Sequence, residues 1–352
     1  HYFLNLRYNI ASNQYTKFIS TFGNINMYAS YLSISIPVLL AVFAFCKNWF
    51  SRILSGILLI AAGCNILIAN SDSVFLGIFA GVVVVTILAF MQGRLRYSSF
   101  AVFLLFVGNL VLGFINKYGH TRYDKKRGGL AIALNRLDIA FVLCGAALLV
   151  FAVVCVCNWK LGTRVAAWNK KKIVLIVCGA CVALGVIGII VLAVTGSSLL
   201  TFNDKWGSYR GYIWRKIVEV YGDAPFVNKL FGYGNESVRV TLKAACYNEM
   251  VQVTGKVYDN AHNELLQYLF TTGIVGLLSY LALVGSSIVY MFKHAKEHAW
   301  ISVCLAATVG YFAQSILNLN QPITTPLFFV FMAMGVGTVN YCRRVKELEK
   351  RA

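Results

Sequence analysis

Asp259-Asn260-Ala261-His262-Asn263-Glu264-Leu265-Leu266-Gln267 closes a long polar loop and runs directly into an apolar segment that reaches about residue 292. The hydrocarbon core of a bilayer is about 30 Å thick, and roughly 20 apolar residues cross it as a helix. The segment is long enough, so the junction reads as a loop meeting the mouth of a membrane span. It puts a titratable imidazole at that mouth. About fifty residues upstream, the same loop holds Arg210 and Arg215. Cations and one imidazole over a membrane mouth point to chemistry on an anionic, lipid-linked substrate.

Outward from this junction, the whole chain has the same character. Of its 352 residues 59% are hydrophobic and 13% charged, with a mean hydropathy of +0.68; soluble domains carry about 25% charged residues. Long apolar runs separated by short polar stretches predict an all-α, polytopic integral membrane protein. The ten-residue alternation of a β-barrel is missing. Spans are expected near 28–46, 53–70, 74–91, 97–115, 137–157, 173–195, 265–292, 300–317 and 323–341, nine in all. The second and third are alternatively one re-entrant pair, because Asn70-Ser71-Asp72-Ser73 is a very short break. The chain reads as a single membrane domain, 1–352, with a large extracytoplasmic loop at 196–262 and a cytoplasmic tail at 343–352.

Lys and Arg set the expected orientation. Lys47 and Arg52, Arg94 and Arg96, Lys160 to Lys172, Lys293 and Lys296, and the tail from Arg343 all fall on one side if nine spans are counted. That side is read as cytoplasmic, and the Arg210–His262 loop as outside. Residues 116–136 depart from the pattern, for they are rich in cations, Lys125 and Arg127 among them, yet fall outside. Either a span is miscounted or this is a cationic surface that attracts phosphate. The formal net charge of +19 fits anionic lipid headgroups and such a substrate. Topology accounts for most of the basic residues, so nucleic acid is not expected as a partner. The ten cysteines lie mostly in or beside spans, where they act as small apolar residues. The chain opens on His1 with no secretory leader layout, and reads as the C-terminal part of a longer protein.

Within the loop, Arg210, Ile213, Trp214, Ile217 and Val218 recur three to four apart, which predicts an amphipathic helix with Trp214 at headgroup level. Arg215 stands five residues from Arg210, about 140° away around a helix, so the two do not share a face; Arg210 is favoured for the site. Leu230-Phe231-Gly232-Tyr233-Gly234 predicts a tight turn or a close backbone approach. Asn260 or Asp259 is expected to cap a helix whose first turn contains His262. A helix over 261–292 would be about 48 Å long, so its first turns project from the bilayer or it bends near Gly273 and Gly276. A helix N-terminus favours the neutral imidazole, which suits a general base. Asp259, His262 and Glu264 match no metal-ligand spacing. His120 is a weaker candidate for the base. Asp72 reads either as a helix-end residue or as a polar group facing a cavity.

Three segments carry a resemblance: Arg210-Gly-Tyr-Ile-Trp214, Phe231-Gly-Tyr-Gly234, and Ala261-His-Asn-Glu-Leu-Leu-Gln-Tyr-Leu-Phe-Thr-Thr-Gly-Ile-Val-Gly-Leu-Leu-Ser-Tyr280. Together they look like the bacterial O-antigen ligase/polymerase superfamily, over roughly residues 20–340. Asn24-Ile25-Asn26 is similar to that family's Asn-Pro-Asn, and Asp72 stands where its Ser-Arg signature has Arg. The resemblance implies a metal-independent glycosyltransferase of the bacterial cytoplasmic membrane, with no cofactor. Its donor would be an undecaprenyl-pyrophosphate-linked glycan and its acceptor a saccharide or lipid, with membrane lipids as further partners. It implies that Arg210 stabilises the pyrophosphate and that His262 acts as base or positions the acceptor. Arg215, Asn263, Gln267, Asp72, Lys125 and Arg127 are the candidate substrate-binding residues. A transporter or flippase for an anionic lipid-linked glycan is the alternative, and a membrane scaffold a third reading.

Overall fold

The computed structural model describes residues 24–69, 71–118, 136–166, 203–318 and 321–351. Among these the chain is helical, with turns between the helices and no strand. In chain order the helices are α1 Ile25–Phe45, α2 Trp49–Ala69, α3 Asp72–Met91, α4 Leu95–Tyr118, α5 Leu137–Ala166, α6 Trp206–Gly222, α7 Phe226–Phe231, α8 Ser237–Thr254, α9 Glu264–His294, α10 Ala299–Ser315 and α11 Thr325–Glu349. Seven of them, α1 to α5, α9 and α11, are long and apolar enough to cross a membrane, and α10 is a shorter apolar helix. These eight fall on eight of the nine expected spans. The ninth, 173–195, lies outside the described residues, as do His120, Lys125 and Arg127. α2 and α3 have 21 and 20 residues, each about 30 Å at 1.5 Å per residue. Each is long and apolar enough for a full crossing.

Contacts within the chain separate two compact units, one built mainly from α1 to α5, the end of α9, α10 and α11, the other from α6 to α8 and the beginning of α9. In the first unit α1 is the most enclosed span and α5 the least. Phe141, Val142 and Leu149 on α5 stand open, as side chains that face lipid should. Apolar helices gain little hydrophobic energy from meeting one another in lipid, so close backbone approach at small residues has to hold them. α2 and α4 cross at Gly63 and Gly108: a Cβ on Gly63 would lie 2.1 Å from Leu105 O, and one on Gly108 would lie 1.9 Å from Ile60 O. α1, α3 and α10 meet at a second node. There a Cβ on Gly77 would lie 2.6 Å from Ser33 Oγ, and one on Gly310 would lie 2.3 Å from Ser33 O. Buried polar groups tie the same three helices. Ser30 Oγ donates to Gln314 Oε1 at 3.2 Å, and Gln314 Nε2 donates to Ser73 Oγ at 3.3 Å.

Helix ends leave backbone groups that must find partners. At the start of α1, Asn24 Oδ1 accepts from Asn26 N–H at 2.7 Å. At its end, Arg52 donates to Phe43 O and Cys46 O, and Arg94 to Ala44 O and Phe45 O. Two of the cations read as orientation signals therefore also close the carbonyl end of the central helix, where positive charge is favoured.

The second unit has its own core. Tyr212, Ile213 and Ile217 of α6 pack with Val238, Leu242 and Met250 of α8 and with Tyr258, Ala261 and Phe270. The buried stripe of α6 is rotated from the expected one: Tyr212 lies inside, while Val218 is 55% exposed. α9 is not a continuous rod. At Gly273 (φ 68°, ψ −173°) it breaks, one of the two ways the sequence offered to shorten it. The break frees the carbonyls of Phe270 and Thr271, and the N–H groups of Tyr233 and Gly234 take them at 2.9 and 3.0 Å. Gly232 (φ 76°, ψ −172°) makes this approach possible. A Cβ there would sit 2.3 Å from the Thr271 carbonyl carbon, and one on Gly273 would sit 2.2 Å from Leu230 O. Both glycines occupy a backbone region essentially closed to other residues.

Gly108→Leu should separate α2 from α4 and lower stability by about 1–3 kcal/mol or more. Thermal unfolding in detergent checks this against Gly145→Leu, where an added Cβ meets nothing within 4 Å and the midpoint should hold.

Candidate functional site

The site is built around one residue, Ala261, which is fully buried. Trp214 Nε1–H donates to its carbonyl at 2.8 Å, and Gln267 Oε1 accepts from its N–H at 2.9 Å. One bond comes from α6 and the other from the first turns of α9, so the peptide groups before His262 are held from two directions. Trp214, expected at headgroup level, thus spends its indole N–H inside the unit. Its ring also lies 5.3 Å from that of Trp206.

His262 is not in the first turn of a helix. Its backbone is left-handed, with φ 48°, and its N–H donates to Asn260 Oδ1 at 3.1 Å. The helix starts at Glu264, and Asn263 is its cap, Oδ1 accepting from Leu266 N–H at 3.1 Å. The expected capping type was right and its register was wrong. Asn263 reaches the third N–H of the helix, as a capping side chain does, whereas Asn260 turns the loop that presents His262. A left-handed conformation costs a residue with a Cβ roughly 1–2 kcal/mol. It persists here because the Ala261 clamp and the Asn263 cap fix the chain on both sides.

The imidazole is held well below its ordinary range. Burial is the largest cause, followed by the positive charges of Arg210 and Lys256, while Asp259 pulls the other way; together they take it from 6.5 to about 4. The neutral form expected from the sequence is the form favoured, but for a different reason: burial and two cations rather than a helix end. Nδ1 is enclosed and has no hydrogen-bond partner among the described residues. The Tyr258 ring meets the imidazole edge to face, with centroids 6.0 Å apart and planes at 83°.

Arg210 reaches this neighbourhood through a second strained segment. Gly207, Ser208 and Tyr209 are all left-handed, with φ of 58°, 62° and 70°, so the regular part of α6 begins at about Arg210. The Arg210 charge acts on Tyr258 as well as on His262, although burial, the larger effect, pushes the Tyr258 hydroxyl up. Tyr258 is 4% exposed, and its hydroxyl donates to Ser208 O at 2.9 Å. Lys256 Nζ stands 4.5 Å from the centre of its ring.

The other sequence candidates fall in different places. Arg215 pairs with Asp204 at 2.9 Å and with Glu219 at 2.8 Å, and these hydrogen bonds hold its guanidinium well above its ordinary range. Asn263 and Gln267 lie close to His262 in the chain, and each accepts a hydrogen bond from a backbone N–H. Asp72 opens α3, and its side chain lies outside the described part. Lys256 and Tyr258 are the residues that sequence reasoning passed over. A signal was present: Gly255 ends α8 in a left-handed turn (φ 72°), so a cation and an aromatic follow at once, within seven residues of His262. Chemically, the site offers a largely buried, neutral imidazole able to accept a proton, beside two cations able to meet an anion.

Histidine-labelled NMR of the chain in lipid nanodiscs should place the His262 midpoint near pH 4. The folded site resists a proton that the unfolded chain accepts at about 6.5, so stability is full above that value. It should fall by roughly 3 kcal/mol as the pH drops from 6.5 through 4. A midpoint near 6.5 would show that the ring is not enclosed.

Comparison with known proteins bears on this region. Residues 128–281 match the family model described as O-antigen ligase, and the matched segment contains Arg210, Trp214, Tyr258 and His262. No curated protein matches the chain. The segment that carries the His262 site is thus similar to the O-antigen ligase family, in a chain whose described residues include seven helices long and apolar enough to cross a membrane.

Proposed function

We propose that this protein transfers a glycan from an undecaprenyl-pyrophosphate carrier to a saccharide or lipid acceptor on the outer face of a bacterial cytoplasmic membrane. One observation carries the reading: a largely buried imidazole, held neutral, stands within the electrostatic reach of Arg210 and Lys256. In the transfer, the acceptor hydroxyl gives its proton to His262 as its oxygen forms a bond to the anomeric carbon. The bond from that carbon to the pyrophosphate oxygen breaks, and the electron pair leaves with the pyrophosphate. The charge growing on that oxygen is what a guanidinium meets best, with paired N–H groups in a low-dielectric setting.

Asn263 and Gln267 serve this chemistry by holding the His262 loop and by offering their remaining polar capacity to the sugar. Arg215 is assigned to the rim, exchanging a carboxylate partner for phosphate. Asp72, Lys125 and Arg127 are retained as contacts to the carrier or acceptor. The cations supply positive charge at the leaving group, so the proposed reaction runs without a metal or cofactor.

The test is glycosyl transfer in proteoliposomes with a synthetic polyprenyl-pyrophosphate disaccharide and a labelled acceptor. His262→Ala should cut turnover at least roughly 10²-fold, the usual scale of a lost general base. Arg210→Lys should also cut it, because a single ammonium does not replace a planar fork. Wild-type turnover in His262→Ala would overturn the reading. Movement of the carrier-linked glycan across the bilayer with no new glycosidic bond would favour transport instead. Inorganic pyrophosphate should raise the His262 midpoint above about 4, since a bound anion offsets the two cations that depress it.

A further inference from the structure

We propose that Tyr258 is the positioning residue of the site, holding the Arg210 segment through its hydroxyl and the His262 ring through its own ring. The inference rests on the transfer reading above and adds to it a residue with no chemistry of its own.

Arg210 and His262 come from distant parts of the chain, and each is presented by strained backbone. Ser208 and Tyr209 adopt φ of 62° and 70°, and His262 adopts 48°. Left-handed residues that carry a Cβ keep that conformation only where their surroundings over-determine it. For the Arg210 side the determinant is a hydrogen bond. Tyr258 Oη donates to Ser208 O at 2.9 Å, fixing the peptide two residues ahead of Arg210. For the His262 side it is the edge-to-face contact of the rings, 6.0 Å between centroids. In catalytic triads a third group orients the base by a hydrogen bond to its second ring nitrogen. Here Nδ1 is enclosed with no such partner among the described residues, so the orientation of the ring depends on what packs against it. One buried side chain thus contacts both halves of the site. Lys256 braces it from beside the ring, 4.5 Å from its centroid.

An ordinary core tyrosine would do none of this. It would tolerate Phe with a change in stability alone, because the ring and its volume are kept. Two variants separate the hydroxyl from the ring, with the full chain in lipid nanodiscs and the synthetic disaccharide donor as probe. Tyr258→Phe should lower kcat roughly 10- to 100-fold, the scale of a small misplacement of a reacting group, with donor KM within about twofold of wild type. The His262 midpoint should stay near 4, because the ring still covers it. Tyr258→Ala should raise that midpoint toward 6.5. The charged groups that act on the imidazole, Arg210, Lys256 and Asp259, remain in place, and only the burial changes. The acid limb of activity should move up with it. Wild-type kcat in Tyr258→Phe overturns the role of the hydroxyl. An unmoved midpoint in folded Tyr258→Ala overturns the role of the ring. The failure of the transfer reading looks different: His262→Ala then stays active, while the NMR midpoints still report whether Tyr258 shields the imidazole.

Discussion

Both peptide groups of Ala261 are claimed from outside their own loop, and the site depends on that. Trp214 holds the carbonyl and Gln267 holds the N–H. A buried peptide group without a partner costs about as much as a lost hydrogen bond, so the loop cannot shift without giving up both bonds at once. Trp214 lies four residues beyond Arg210 on α6, and Gln267 lies five beyond His262. The clamp therefore joins the two elements that carry the site's cation and its imidazole. His262, directly after the clamped residue, has little freedom left, which explains how a left-handed backbone survives there.

The same accounting shapes α9. A helix of 31 residues is about 46 Å long, well beyond the hydrocarbon thickness. The break at Gly273 divides it, and a break in or near lipid is tolerated only where the freed backbone groups are satisfied. The Gly232–Gly234 turn does this, lending two N–H groups to Phe270 O and Thr271 O. Glycine is required on both sides of the approach, since each would otherwise drive a Cβ into the other's backbone. The two glycine motifs in the sequence, thirty-nine residues apart between Gly234 and Gly273, are halves of one joint.

What the sequence revealed follows from the range of each interaction. Spans were legible because hydropathy is summed over about twenty residues, and a misplaced residue hardly alters the sum. The cap of α9 was placed three or four residues early, since Asp259, Asn260 and Asn263 are all capping residues and only tertiary contacts choose among them. Trp214 was assigned to lipid headgroups from the amphipathic spacing of its helix, but its partner, Ala261 O, lies forty-seven residues away. Tyr258 was invisible for the same reason: its link to Ser208 spans fifty residues, and no local pattern encodes it. Arg215 found an acid partner in Asp204, eleven residues upstream, beyond the reach of helical i,i+4 reasoning.

The depressed imidazole raises a question of order. A base whose conjugate acid has a pKa of about 4 is always free to accept a proton at neutral pH, but it accepts one weakly. Effective general bases lie near the working pH. On the proposed reading the donor removes this mismatch. Two of the three effects that depress His262 are charges, Arg210 and Lys256, and these are the groups that would meet a diphosphate. Binding the donor offsets them, and the imidazole becomes a stronger base only when there is a sugar to transfer. Until then the residue stays neutral and poorly basic, which disfavours activation of water against the carrier-linked sugar. The cations then have two uses with one sign: they attract the donor, and through their absence of compensation they keep the base idle until it arrives.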